Sequence, residues 1–189
     1  MYMGKMYSLE EVRKIVEKFM PYFGEYVHIG TGRYEEPDLE DPVDIYNLFQ
    51  GIAYTAEATY EYTRSERSIE ELKVMLQHIA STLNACECVA DCVDVKLCFT
   101  KEGYINTLKY LTKQSFEQMR KYSAEEGVSE AELMRLEQKS ELMAEKVFED
   151  SMAYMEDIGW VKRSPSHYKV KNKKVIVAGA LWKEALAKG

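Results

Sequence analysis

Residues 128–177 read VSEAELMRLEQKSELMAEKVFEDSMAYMEDIGWVKRSPSHYKVKNKKVIV, and two different periodicities follow each other along this stretch. Ser129 and Glu132 have the spacing of a capping box, which marks the start of a helix. Apolar residues then recur at helical intervals as far as Gly159: Leu133, Leu136, Met143, Val147, Met152 and Met155. Three short strand-like segments follow around the turn Ser164-Pro165-Ser166: Trp160–Arg163, His167–Val170 and Lys174–Val177. The stretch predicts one long helix or two shorter ones, then short strands, then a last helix over Leu181–Ala187.

The same capping signal occurs twice in the first half of the chain. Ser8 and Glu11 precede a periodic segment that predicts a helix over Leu9–Met20. Ser68 and Glu71 precede an apolar stripe that continues for about six turns, to Ala90. Thr100 can cap a further helix that continues through about Lys121 and is ended by Gly127. These signals together favour a mainly helical protein.

One more helix is predicted to lie in the interior. Asp41 followed by Pro42 has the pattern of a helix start, with a capping carboxylate before a proline in the first turn. No charged residue occurs from Ile45 through Ala56, so a helix here is expected to be buried on most sides. We therefore predict that Tyr46, Phe49 and Ile52 are interior.

Two other segments favour β structure. Tyr26–Gly32 mixes strand-forming residues with glycines, which predicts a short strand or a loop, and from Val93 to Phe99 apolar and polar residues alternate as in a strand with one buried face. The predicted fold class is mainly α, a helical bundle with a short C-terminal β-hairpin. We expect either a helical body over residues 1–127 with a distinct C-terminal segment over 128–189, or one single domain over 1–189.

Composition limits the classes of protein to consider. The 189 residues are 46% hydrophobic, which suffices for a sizeable core, and no run of about 18 apolar residues exists. The start of the chain lacks the pattern of a secretory signal, and the four cysteines are clustered rather than dispersed as in a small secreted domain. We therefore expect a cytoplasmic protein with reduced thiols and no membrane contact.

The four cysteines, Cys86, Cys88, Cys92 and Cys98, are the first candidates for chemistry. On a continuous helix Cys86 joins the apolar stripe, whereas Cys88 and Cys92 share another face. One segment then supplies at most two ligands, and no nearby histidine completes a metal site. Ordinary packing is the favoured interpretation, with Cys88 and Cys92 as the alternative metal or redox pair. Catalytic signatures are absent from the sequence, which favours a protein that is not an enzyme, and no cofactor can be assigned.

The charge distribution provides the other candidate site. The chain has a net charge of −7, yet six cations and no carboxylate occur within residues 162–174: Lys162, Arg163, Lys169, Lys171, Lys173 and Lys174. The rest of the chain consequently carries −13. With His167, these residues form a candidate surface for nucleic acid or for an acidic protein. The alternative is that the lysines pair with carboxylates of this subunit or of a second one.

From Val128 to Val170 the order of segments resembles a winged helix-turn-helix. Two helices, with a break predicted near residues 138–140, precede a Trp160–Arg163 strand, a turn and Tyr168-Lys169-Val170. This resemblance implies a recognition helix followed by a basic β-hairpin wing. Two departures are that the predicted turn has no glycine and that the second helix is acidic, through Glu141, Glu145, Glu149 and Asp150.

Three functions compete at this point. The first is a nucleic-acid-binding regulatory protein, whose helical N-terminal body serves homodimerisation or ligand sensing. The second is an adaptor whose basic hairpin binds an acidic protein. The third is a helical-bundle protein that binds a metal, a redox group or a small ligand through Cys88 and Cys92 or the tyrosine-rich helix.

Overall fold

The computed structural model describes residues 7–15, 17–18, 38, 41–58 and 66–188. Residues 9–15 and 17–18 are helical, as predicted. Six helices follow: α1 Pro42–Ala58, α2 Glu66–Cys92, α3 Lys101–Glu126, α4 Glu130–Leu142, α5 Ala144–Asp157 and α6 Lys174–Lys188. Three strands are described: β1 Cys98–Phe99, β2 Val161–Arg163 and β3 Tyr168–Val170. The protein is therefore mainly helical with a small C-terminal sheet, whereas the strand predicted near Tyr26 lies outside the described residues.

The chain divides into two units by its internal contacts. One contains the described residues from Cys88 to Val175, and the other contains the described residues before Cys88 and after Val175. The division suggested by the sequence, between residues 127 and 128, falls within the first of these units. Within the described part of the chain, no helix has the length and apolarity that crossing a membrane requires.

Most of the predicted helix starts are confirmed by hydrogen bonds. Ser8 and Glu11 cap each other reciprocally, with Ser8 N donating to Glu11 Oε2 at 2.8 Å and Glu11 N to Ser8 Oγ at 3.2 Å. Side-chain oxygens of Asp41, Thr100 and Ser129 accept from Val43 N, Gly103 N and Glu132 N respectively. The capping box at Ser68 is wrong, because α2 already begins at Glu66.

The second unit has an apolar core built from three helices. Leu48 and Phe49 of α1 are fully buried, as are Leu72, Met75 and Leu83 of α2. Trp182 of α6 donates from Nε1 to Asn84 Oδ1 at 2.9 Å and packs edge-on against Tyr46. The interior position of Phe49 is confirmed, but Tyr46 is only half-buried, and the side chain of Ile52 lies outside the described part.

The segment that follows Ser129 forms two helices that meet at a single residue. The predicted break near residues 138–140 is wrong, because α4 continues to Leu142 and the connection is Met143. Met143 N still donates to Lys139 O, and Val147 N donates to Met143 O, so little backbone hydrogen bonding is lost there. At the end of α5, Gly159 has a φ of 75°, and Trp160 N donates to Met155 O in a Schellman motif.

The strand predicted over Val93–Phe99 is largely wrong, since only Cys98–Phe99 is extended. The Asp94 carboxylate accepts hydrogen bonds from Lys96 N and Cys98 N, and Leu97 N donates to Asp94 O. This turn leaves Val95 fully exposed and Leu97 at a φ of 61°. An aspartate that bonds to its own backbone thus overrides the alternating pattern.

The strand predicted over Lys174–Val177 is also wrong, because these residues form the first turn of α6. Asn172 Oδ1 accepts from Lys174 N at 2.9 Å and so caps the helix. Val175, Ala178 and Trp182 are buried at helical spacing, and this packing outweighs the strand preference of the valines. The helix predicted over Leu181–Ala187 lies within α6.

The three strands form one antiparallel sheet in the order β1-β3-β2. On its inner face, aromatic residues of the sheet pack against aromatic residues of α3 and α5. Phe99 stacks on Tyr168 with ring centroids 5.4 Å apart, and Phe148 of α5 meets Tyr168 edge-on, also at 5.4 Å. The rings of Tyr104 in α3 and Phe148 pack edge-on, with centroids 5.1 Å apart. The sheet is thereby anchored to α3 and α5, which fixes the position of the basic hairpin.

Candidate nucleic-acid interface

The basic hairpin consists of β2, β3 and the turn 164–167. Val161 pairs with Val170 and Lys162 pairs with Lys169 across the two strands. Both valines are buried and both lysines are exposed, so the lysines project from the outer face of the hairpin. Cys98 of β1 is the other cross-strand neighbour of Lys169. The outer face therefore presents two cations directly opposite each other.

Four lysines of this segment have no acidic partner among the residues that the structure describes. In the part of the chain that the structure describes, Lys162, Lys169, Lys171 and Lys173 form no ion pair, and all four are exposed. Within the described residues, the protein's own carboxylates therefore do not neutralise these four lysines. Lys173 and Lys174 also lie at the start of α6, the positive end of the helix dipole, where cations are unfavourable.

Arg163 differs from the lysines, because it forms an ion pair and a hydrogen bond with residues of α5. Its Nη2 lies 3.1 Å from Glu149 Oε2, and its backbone N donates to Glu156 Oε1 at 3.1 Å. The guanidinium also lies 5.4 Å from the ring centroid of Tyr168. The hydrogen bond to Glu149 raises the pKa of Arg163 above its ordinary value. Arg163 thus ties the hairpin to the helix.

Glu149 bonds to a second cation, which comes from α3. Lys101 Nζ lies 3.2 Å from Glu149 Oε1 and 5.6 Å from the ring centroid of Phe148. The hydrogen bonds from Lys101 and then from Arg163 lower the pKa of Glu149 below its ordinary value, although its partial desolvation opposes them. One carboxylate therefore holds two cations from different elements.

His167 belongs to the turn of the hairpin. Ser164 N donates to His167 O at 2.8 Å, which closes the turn, and Ser166 Oγ lies 3.3 Å from His167 Nδ1. The residue is half-buried. It therefore lies in the turn of the same hairpin as Lys162, Arg163 and Lys169, with which it forms the predicted surface.

The surface of α5 is acidic, as the sequence predicts for the second helix of this region. Glu145, Glu149, Glu156 and Asp157 are exposed on it. Lys146 is also exposed, but it pairs with Asp150 at 2.7 Å. The helix that precedes the hairpin therefore presents mainly negative charge to solvent.

The clustered cysteines have a different environment. Cys86 and Cys88 are buried in α2, and Cys92 is half-buried with Sγ 3.7 Å from Val89 O. Burial raises the pKa of Cys92 to about 12. Since the thiolate is the form that binds metals and attacks electrophiles, Cys92 is poorly poised for either role at neutral pH. No cluster of three or more potential metal ligands occurs among the described residues.

Sequence reasoning missed Glu149 as a residue of this site. Lys101 and Glu149 are 48 residues apart, so no local spacing could reveal their contact. The register of β2 and β3 places Lys162 and Arg163 on opposite faces of the hairpin, which the list of basic residues alone did not distinguish.

Comparison adds nothing to these observations, because no protein-family model, no curated protein and no solved structure matches the chain.

Proposed function

We propose that the outer face of the basic hairpin binds the phosphate backbone of nucleic acid. The observation that carries this proposal is the cross-strand pair Lys162 and Lys169, exposed and without a carboxylate partner in the described part of the chain. Lys171 and Lys173 extend the same cationic surface beyond the end of β3. These lysines belong to residues 162–174, which contain six cations and no carboxylate.

The energetics of the pair support a polyanionic partner. Like charges directly opposite on one sheet face are destabilising, by about 0.2–1 kcal/mol on the scale of cross-strand pairs. The chain contains 32 acidic residues, enough to neutralise this pair internally, yet neither lysine forms an ion pair with a carboxylate of the described part. Nucleic-acid phosphates would remove the repulsion and release condensed counterions on binding.

The winged helix-turn-helix resemblance is part of the same proposal. The order α4, α5, then hairpin is the order that the resemblance implies, and the hairpin takes the place of the wing. The acidic surface of α5 would repel phosphates, so α5 is a poor recognition helix for a DNA groove. We therefore assign the contact to the wing, which would hold the backbone and read little sequence.

The experiment is fluorescence anisotropy of the full chain with a labelled duplex oligonucleotide between about 50 and 200 mM salt. Four lysine contacts predict a slope of log K against log salt of up to about −3.6, at about 0.9 per contact. Replacing both Lys162 and Lys169 with alanine should flatten the slope by about 1.8. The matched control replaces Lys109 and Lys113, two exposed lysines of α3. It changes the net charge equally and should leave the slope unchanged.

Two outcomes would count against the proposal. Absence of binding at about 100 µM protein and low salt would exclude nucleic acid, since even non-specific binders respond under these conditions. An acidic protein surface would then be the partner that fits the hairpin. Equal losses in the hairpin variant and in the α3 control would show that binding depends on total charge and not on this surface.

A further inference from the structure

The carboxylate of Glu149 lies between Arg163 of the basic hairpin and Lys101 of α3. Arg163 Nη2 is 3.1 Å from Oε2 and Lys101 Nζ is 3.2 Å from Oε1. The three side chains are each about half exposed, at 52% for Arg163, 45% for Lys101 and 49% for Glu149. All three are therefore partly accessible to solvent beside the hairpin.

We infer that Glu149 is a positioning residue that withholds Arg163 and Lys101 from the nucleic acid and so limits the contact to the outer lysines. This inference rests on the proposed function of the hairpin. It assigns different roles to two adjacent cations of β2, with Lys162 as a backbone contact and Arg163 as a tie to α5.

The geometry of β2 supports this division of roles. Adjacent strand residues point to opposite faces, so Arg163 leaves the hairpin on the side of Tyr168 and α5, away from Lys162 and Lys169. The Glu149 charge also lies where it would repel a phosphate that approached Arg163. With the carboxylate present, the group of three carries a charge of one; without it, the two cations add a charge of two beside the hairpin.

The variant Glu149→Gln separates these effects from folding. Glutamine has nearly the same shape, but it has no negative charge and only one acceptor oxygen, so it holds the two cations much more weakly than the carboxylate does. Exposed ion pairs contribute little to stability, so the variant should fold normally. Circular dichroism and thermal unfolding check this before binding is measured.

The matched control is Glu145→Gln. Glu145 lies one turn before Glu149 on the same side of α5, is exposed, and forms no ion pair among the described residues. It alters the net charge and the local potential in nearly the same way, but it does not release Arg163 or Lys101. A difference between the two variants therefore reports the contact and not the charge.

The test is anisotropy of the full chain with the same duplex over the same salt range. Glu149→Gln should bind about threefold to tenfold more tightly at about 50 mM salt, with a slope steeper by about 0.9–1.8, because one or two additional cations become contacts. Glu145→Gln should leave the slope of the wild type unchanged. Adding Arg163→Ala to Glu149→Gln should remove at least half of the increase in slope.

The outcomes distinguish this inference from the proposed function. If the wild type binds and Glu149→Gln has the same slope as Glu145→Gln, the inference is wrong and the proposed function stands. If neither the wild type nor Glu149→Gln binds, both are wrong. If the double variant keeps the full increase in slope, Arg163 is not the cation that Glu149 withholds, and the inference is also overturned.

Discussion

The imidazole of His78 is the most deeply buried titratable ring described in the chain. It lies in α2 with no exposed surface, and Tyr7 N donates to its Nδ1 at 3.3 Å. The Tyr7 ring packs edge-on against it, with centroids 5.3 Å apart. Burial lowers the pKa of His78 to about 4, although the nearby Glu11 charge acts in the opposite direction. The folded protein thus favours the neutral imidazole.

This burial predicts a loss of stability in mild acid. An unfolded histidine takes up a proton near pH 6.5, whereas the folded one does so only near pH 4. The stabilisation is complete above pH 6.5 and decreases as the pH falls towards 4, by a total of about 3 kcal/mol at about 1.4 kcal/mol per pKa unit. Denaturant unfolding between pH 7 and pH 4 measures this decrease.

His78→Asn identifies the residue responsible. Asparagine can accept the hydrogen bond from Tyr7 N without titrating, so this variant should lose much less stability than the wild type between pH 7 and pH 4. His167→Asn, in the hairpin turn, is the control and should keep the dependence of the wild type. Parallel pH profiles for the wild type and His78→Asn would show that other groups cause the acid sensitivity.

Individual contacts could be predicted from the sequence only where the partners are close along the chain. The Ser8–Glu11 cap was predictable because its two residues are three apart. The contacts of Glu149 with Lys101 and Arg163 span 48 and 14 residues, and they exist because α3, α5 and β2 converge. No pattern within one element could indicate them, so sequence reasoning identified Arg163 but neither Lys101 nor the carboxylate that bonds to both.

At the scale of elements, the turn before β1 depends on one carboxylate. Asp94 Oδ1 accepts from Lys96 N at 2.8 Å and from Cys98 N at 2.9 Å. The turn holds Leu97 O where it accepts from Val170 N, at the end of β3. The attachment of β1 to the hairpin therefore begins at Asp94.

Asp94→Ala should lower the free energy of unfolding by about 1–3 kcal/mol, because two backbone donors lose a charged acceptor. Asp94→Asn should recover most of this loss, since asparagine forms the same kind of turn. Denaturant unfolding of the three proteins provides the comparison. Equal losses in the alanine and asparagine variants would indicate that charge, and not hydrogen bonding to the backbone, is what Asp94 contributes.

The sequence predicted helix starts better than strands, for physical reasons. Helix starts were mostly correct because a cap is a local signal, as at Asp41 and Ser129. The strand predicted from Val93 failed because alternation does not reveal a competing hydrogen bond from Asp94. The strand predicted from Lys174 failed because β-branched residues favour strands locally, whereas burial of Val175 and Trp182 favours the helix.

At the scale of the whole molecule, the sequence concentrates positive charge in one short segment. The six cations of residues 162–174 belong to a chain that otherwise carries −13. Among the described residues, four of these cations still form no ion pair: Lys162, Lys169, Lys171 and Lys173. A protein under selection for stability alone could neutralise Lys162 and Lys169 with one substitution. Under the proposed function, nucleic-acid phosphates would offset this repulsion.

A double-mutant cycle on Lys162→Thr and Lys169→Thr tests this argument. Threonine suits a strand, so each single variant should be stabilised partly by its β preference and partly by loss of the repulsion. The repulsion is removed only once, and the double variant should therefore gain less than the two single gains together, by about 0.2–1 kcal/mol. In about 1 M salt, where the screening length is about 3 Å, this shortfall should largely disappear. The same variants should bind duplex DNA less tightly, so stability and binding change in opposite directions. If the two substitutions are additive at low salt, the lysines do not repel each other, and the energetic reason for a polyanionic partner at this hairpin is lost.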